Sequence, residues 1–268
     1  MQLTQKKSRR GDLLTAAAVA MLLAVMAALL YTGSLTRQVT NMLIPTAVYI
    51  VMAVSLNLVV GLLGELSLGH AGFMSVGLFS GCLVAIALTN TALPLMVRLP
   101  VSMLAGGLTA AVFGLLVGLP TLRLRGDYLA IVTLACGEII KNIITNLRVT
   151  GGALGLNTTA IYAGAKELLP YGAALVLLTV AVMLNLKRSK YGRAIMAIRD
   201  NRIAAESVGL SVTRYKLAVF VIAAFFAGCA GVLYGHSLAN IKAAAFDYNM
   251  SIEILVIVVL GGMGSVPG

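Results

Sequence analysis

The sequence predicts an all-α, polytopic membrane protein with about eight transmembrane helices, and three observations carry that reading. The chain is 60% hydrophobic and 11% charged, with a mean hydropathy of +0.98, whereas soluble domains run at about 45–50% apolar and about 25% charged. At roughly 20 apolar residues per crossing, its 268 residues fill about eight spans. The apolar runs are also unbroken, as in Leu13–Tyr31 and Leu99–Leu119, unlike the alternating segments of about ten residues in a membrane barrel. A water-soluble globular protein is excluded.

The first span follows a basic segment, 1–12, that contains Lys6, Lys7, Arg9 and Arg10. The run Leu13–Tyr31 is longer than the roughly 7–15 residues of a signal-peptide core and lacks an A-x-A end, so it reads as an uncleaved helix. Later spans are expected near Met42–Leu63, Leu66–Leu88, Leu99–Leu119, Tyr128–Leu147, Tyr171–Leu186, Leu217–His236 and Met250–Met263. With eight crossings and the N-terminus inside, the inner segments are the N-terminus, the link Gly61–Glu65, the loop Thr121–Asp127 and the segment Lys187–Lys216. They carry four, none, two and eight of the 20 basic residues, which is the positive-inside pattern. The net charge of +11 therefore reads as topology rather than as a nucleic-acid surface. Cys82, Cys136 and Cys229 sit in apolar runs without metal-ligand spacing and read as buried small hydrophobes.

The third span is the least regular, because Gly61–Gly81 packs six glycines into 21 residues. Each costs about 1 kcal/mol against alanine in a helix interior. Two compensations stay open: tight packing against neighbouring helices, or a broken segment whose freed backbone lines a polar cavity. Gly69, His70 and Gly72 are pathway candidates on the second reading. Gly77/Gly81, Gly114/Gly118 and Gly231/Gly235 form GxxxG pairs that admit close helix neighbours.

The most informative inner segment is KRSKYGRAIMAIRDNRIAAESVGLSVTRYK, Lys187–Lys216. Asp200 or Asn201 can cap a short helix with body Arg202–Val208, and Gly209 is placed to end it. Ala204 and Val208 fall four apart on one face with Ala205 beside them, and Arg202 and Glu206 lie on another. From the residues alone, a helix that docks into a partner's groove and a solvated basic loop that fixes topology stand equal.

At this point the sequence resembles a known family. Ala204, Ala205, Glu206 and Gly209 match the EAA–glycine coupling loop of bacterial ABC importer permeases. Four ordered blocks, Asn57–Gly77, Arg125–Ile143, Thr150–Leu156 and Ser189–Ser211, resemble the LivM-type permease of branched-chain amino-acid ABC transporters, and the resemblance runs from about residue 40 to the last residue. It implies an ABC importer permease fold over 13–268 and a cytoplasmic coupling loop at 187–216, in a multi-pass protein of the bacterial inner membrane. The implied partners are a LivH-type sister permease, two cytoplasmic ATPase subunits and a periplasmic amino-acid binding protein. The implied cargo is leucine, isoleucine, valine or a similar small amino acid or amide. It also implies further helices beyond the GGMGSVPG motif at Gly261–Gly268, where the sequence ends. The coupling residues expected from it are Arg199, Asp200, Arg202, Ala204, Ala205, Glu206 and Gly209, within Arg199–Leu210.

The chain has no GxxxxGK[ST] phosphate cradle, so ATP hydrolysis is expected from partner subunits, with no cofactor bound by this chain. No catalytic constellation is legible, and the chain is read as a non-enzyme subunit. Glu138 and Lys141 lie three apart in the fifth span, either as an ion pair that fixes packing or as part of the pathway. Glu253 is expected near the outer surface and Glu65 in the inner link, while His70 and His236 read as packing histidines. The competing function is a stand-alone ion-coupled transporter or channel that uses Glu138.

Overall fold

The computed structural model describes residues 2–33, 35–89, 94–122, 124 and 126–264, with side chains from residue 17 onward. The side chains of Lys6, Lys7, Arg9 and Arg10, the pair Arg123 and Arg125, and residues 265–268 of the terminal motif lie outside that description.

Among the described residues, seven helical segments are long and apolar enough to cross a membrane, and α1 (Gln2–Tyr31) adds a shorter described apolar stretch, Ala17–Tyr31. The seven are α2 (Arg37–Asn57) extended by a π-helix (Leu58–Leu63), α3 (His70–Thr89), α4 (Leu95–Thr121), α5 (Asp127–Asn146), α6 (Ala165–Arg188), α9 (Val212–His236) and α10 (Tyr248–Gly261) with the 3-10 turn before it. Two further helices, α7 (Lys190–Asp200) and α8 (Arg202–Ser207), occupy the basic segment between α6 and α9. The chain is a multi-pass membrane protein.

Successive spans alternate in direction, and long-range contacts identify the two ends of the bundle. At one end α7 bonds the π-helix, and Lys187 at the end of α6 bonds Gly264 beyond α10. At the other end a two-residue antiparallel ribbon joins β1 (Leu156–Asn157) after α5 to β2 (Asn240–Ile241) after α9.

The centre of the bundle is α3, α4 and α9, whose backbones approach until no side chain fits between them. A Cβ on Gly77 would overlap the Gly228 backbone, and one on Gly228 would meet the Gly106 carbonyl oxygen at 2.6 Å. One on Gly114 would sit 2.6 Å from the Ala224 methyl, and one on Gly107 2.6 Å from Cys229 Sγ. All three GxxxG pairs face neighbours in this way, and the packing reading of the glycine-rich span holds from His70 onward. Gly106, Gly107 and Gly228 share the role outside those pairs. The histidines pack as expected, both buried: His70 Nε2 lies 2.7 Å from Ser55 Oγ, and His236 Nδ1 2.9 Å from the Val232 carbonyl oxygen. Cys82 and Cys229 are buried, whereas Cys136 is only half-buried.

Three expectations are corrected. The third span begins at His70 rather than Leu66, because Gly64 takes a left-handed conformation (φ +74°) after the π-helix and the backbone is non-helical from there to Gly69. The basic segment holds two helices instead of one. Glu253 does not lie near the end of the bundle. The Tyr248 amide that opens α10 donates to Glu138 Oε1 at 2.9 Å, roughly halfway along α5 and about 16 Å from its Asp127 end at 1.5 Å per residue. The connection from α9 therefore descends into the bundle before α10 starts, with Phe246 buried against Phe79 and Tyr234. Glu253 lies about 7 Å deeper still.

The glycine core makes a direct prediction. Gly228→Val should destabilise the protein by at least about 1–3 kcal/mol through forced overpacking, while Gly164→Ala, with nothing within 4 Å of its Cβ position, should leave it unchanged. Thermal denaturation of the detergent-solubilised protein measures both.

Candidate functional site

The basic segment is an ordered two-helix arm, and its local sequence explains each turn. Ser189 caps α7 by accepting from the Gly192 amide at 3.0 Å. A Cβ at Gly192 would overlap the Leu186 carbonyl oxygen, so the sharp bend out of α6 requires glycine there. Ile195 and Ile198 turn inward. Asn201, not Asp200, caps α8 by accepting from the Ala204 amide at 3.0 Å. Gly209 (φ +84°) then reverses the chain as the left-handed residue that helix ends favour. The Leu210 amide bonds the Ala205 carbonyl oxygen at 3.1 Å.

The faces of α8 differ from the expected arrangement. Ala205 is buried in a small cluster with Ile198 and Val212, against which Leu210 and Tyr215 pack, and this seats the helix on α7 and α9. Ala204 is exposed, as are Ile203 at 81% and Val208 at 79%. Ala205 is thus an anchor rather than part of the outward face. Arg202 and Glu206 form an i,i+4 ion pair at 2.8 Å beside the apolar patch, and Asp200 bonds the neighbouring Arg199 guanidinium at 3.1 and 3.2 Å. The outward surface of α8 is therefore an apolar patch bordered by a charged pair, on a helix of only six residues.

Cations of this end tie the arm, α9 and α6 to the segment between α2 and α3 and to the residues after α10. The Arg199 guanidinium donates to the Gly61 carbonyl oxygen at 2.9 Å, and its aliphatic stem lies across Gly64, where a Cβ would meet it at 2.5 Å. Lys216, in the second turn of α9, forms an ion pair with Glu65, and both side chains are nearly excluded from solvent. The Lys187 ammonium donates to the Gly264 carbonyl oxygen at 3.0 Å, and the Gly264 amide donates to Asn57 Oδ1 at 2.8 Å. The sequence marks Arg199 as part of the coupling group and Glu65 as part of the link, but the 151-residue separation of Glu65 and Lys216 leaves no local signal of their pairing.

The tethered segment leads directly into the pathway candidates. The Leu68 amide donates to Thr133 Oγ1 at 3.1 Å and the Ala71 amide to Ser251 Oγ at 3.3 Å, so α5 and α10 satisfy backbone groups that the broken span frees. A Cβ on Gly69 would lie 2.6 Å from the Thr133 carbonyl oxygen, and one on Gly72 2.8 Å from Gly137 Cα. Gly69, His70 and Gly72 are close-packed in this conformation. Glu138 is held by Lys141 and by the Tyr248 amide, linking α5 to α10. It is not brought to the arm.

Comparison with known proteins fits this architecture. Residues 38–268 match the family described as the branched-chain amino acid transport system permease component. The chain belongs to that family. It is similar to the high-affinity branched-chain amino acid transport system permease protein LivM of Salmonella typhimurium, at 38% identity over 82% of this chain and 57% of the relative. The LivM of Escherichia coli strain K12 gives the same values. A probable LivM of Methanocaldococcus jannaschii is 30% identical over 59% of this chain and 50% of the relative. The permease thus spans 57% of the length of the two bacterial LivM proteins it matches. No solved structure gives a significant match.

The ion pair that joins α9 to the non-helical link is open to a stability test. Lys216→Met strands a buried carboxylate and should cost the permease about 3–5 kcal/mol. Adding Glu65→Met should recover most of that loss, because two apolar side chains can then pack in place of the pair. Thermal unfolding of the single and double variants measures the difference.

Proposed function

We propose that this permease is one transmembrane subunit of an ATP-driven importer for branched-chain or similar amino acids, with the α7–α8 arm as the element that receives work from an ATPase. The observation that carries the reading is the exposed apolar pair Ile203 and Val208, on and just after the capped helix α8, beside α7, which is bonded to the π-helix that leads into the break. Exposed apolar residues on a short rigid element suit a groove on a partner protein, and the phosphate cradle absent from this chain is then supplied by that partner.

The chemistry of the cargo requires a protein-lined polar route. A zwitterionic amino acid carries two charges across a layer where an isolated charge costs several kcal/mol, so a polar route has to open and close on either side in turn. In this reading a LivH-type sister permease completes the route, two ATPase subunits drive it and a periplasmic binding protein delivers the cargo. The basic arm faces the cytoplasm, by the positive-inside rule, and the N-terminus lies on the same side of an inner membrane. Movement of the arm pulls on Gly61 and Gly64 through Arg199, and so on the segment that leads to His70. Glu138 is engaged by Lys141 and by the Tyr248 amide, and nothing in its surroundings favours a role in ion coupling.

Val208→Glu or Gly209→Val in the assembled transporter should lower leucine uptake and uptake-linked ATP hydrolysis at least about tenfold. A buried new charge or a strained left-handed residue costs on the order of 1–3 kcal/mol at such a joint. Leucine affinity of the binding protein should not change. Normal uptake by both variants, or uptake that persists without the ATPase subunits, would remove the proposal.

A further inference from the structure

Glu253 is the ionisable group that the packing leaves unexplained. It lies within the span that ends at Gly261, well below the start of α10, and its side chain is exposed on the protein surface. No ion pair joins it to a described cation. An uncompensated carboxylate at that depth does not face hydrocarbon, so its surroundings in the assembled protein are polar.

Those surroundings are already partly built. Glu253 borders a cavity of about 130 Å³ together with Tyr49, Tyr234, Phe246, Asp247 and Asn249. Tyr49 of α2 and Glu253 of α10 line this cavity from opposite elements. Asp247 is oriented by two bonds, from the Met250 amide at 3.2 Å and from the Asn249 side-chain amide at 2.9 Å. Among the described residues, the lining contains two carboxylates and three aromatic rings, and no lysine, arginine or histidine. Negative charge with aromatic walls attracts a cation. The volume takes an ammonium group with a short stem, but not a whole larger amino acid.

We propose that Glu253, with Tyr49, Tyr234 and Asp247, forms a subsite on the wall of an aqueous passage that binds the primary ammonium group of the transported solute. The identity of the solute rests on the amino-acid reading above, whereas the subsite rests on the depth, the cavity and the unpaired carboxylate. A carboxylate covered by a basic residue of a neighbouring subunit is the competing arrangement, and the test separates the two.

The probe is Asn249→Cys in the assembled transporter, with Cys82, Cys136 and Cys229 replaced. Its labelling rate is measured with the cationic trimethylammonium-ethyl methanethiosulfonate and with the anionic sulfonatoethyl reagent. With Glu253 intact, the cationic reagent is favoured. Glu253→Gln lowers the cation-to-anion rate ratio about tenfold, as expected for one unit charge at close range in a partly aqueous mouth, and Glu253→Asp restores most of it. Millimolar n-butylammonium slows labelling only when the carboxylate is present. These readouts do not require transport, so an assembly that fails to take up leucine but shows the charge effect rejects the amino-acid reading and keeps the subsite. No labelling by either reagent, or a ratio indifferent to Glu253→Gln, overturns the subsite.

Discussion

A backbone that leaves its helix inside a membrane protein must find hydrogen-bond partners from other elements, and this requirement organises the permease. Between Gly64 and Gly69 the chain is neither α nor π, and in an apolar environment each unsatisfied amide or carbonyl costs several kcal/mol. The partners around this break come from much of the fold. Thr133 of α5 takes the Leu68 amide, Ser251 of α10 takes the Ala71 amide, and Arg199 of α7 takes the Gly61 carbonyl at the preceding turn. Lys216 of α9 neutralises Glu65 within the break itself. Elements distant in sequence are thereby joined at one place.

Two kinds of packing then divide the molecule. The α3, α4 and α9 core is locked by glycine contacts with no room to slide, so those helices behave as one body. Outside that core, α5 meets α3 through both the close Gly72–Gly137 approach and hydrogen bonds, whereas hydrogen bonds such as Ala71–Ser251 and Arg199–Gly61 help tie in α10 and the α7–α8 arm, and such bonds exchange partners more readily than interlocked backbones do. A rigid core beside a hydrogen-bonded periphery gives the fold a place for movement: the arm shifts, the break at Gly64–Gly69 follows, and the cost is the exchange of a few hydrogen bonds. The descent of the α9–α10 connection serves the same economy of polar contacts, since Glu138 receives the first amide of α10.

Much of this was legible in the sequence, for identifiable reasons. Apolar runs of sufficient length give the spans, and the basic segments give an alternation consistent with the two ends of the bundle. Asn201 and Gly209 carry the start and stop of α8 in their own chemistry. The facing of Ala205 was not legible, because a six-residue helix has too few turns for periodicity to decide which side meets Ile198 and Tyr215. α7 is marked only weakly, by Ser189 as cap and by Gly192, Ile195 and Ile198 at three-residue spacing, within a segment whose basic residues also fit a solvated loop. The break and the depth of Glu253 were hidden for another reason. Glycines serve close packing and chain breaks equally well, and the length of a connection does not tell whether it stays at the surface or enters the bundle.

The claim that the arm holds the break is tested most directly by amide hydrogen exchange, comparing Arg199→Ala with the unmodified chain in lipid nanodiscs. Loss of a charge-assisted bond worth about 1.5–3 kcal/mol should speed exchange of the amides from Gly64 to Ala71 at least about tenfold, while those of α4 keep their protection. Unchanged exchange across Gly64–Ala71 would contradict the account, because the arm and the broken span would then be mechanically independent.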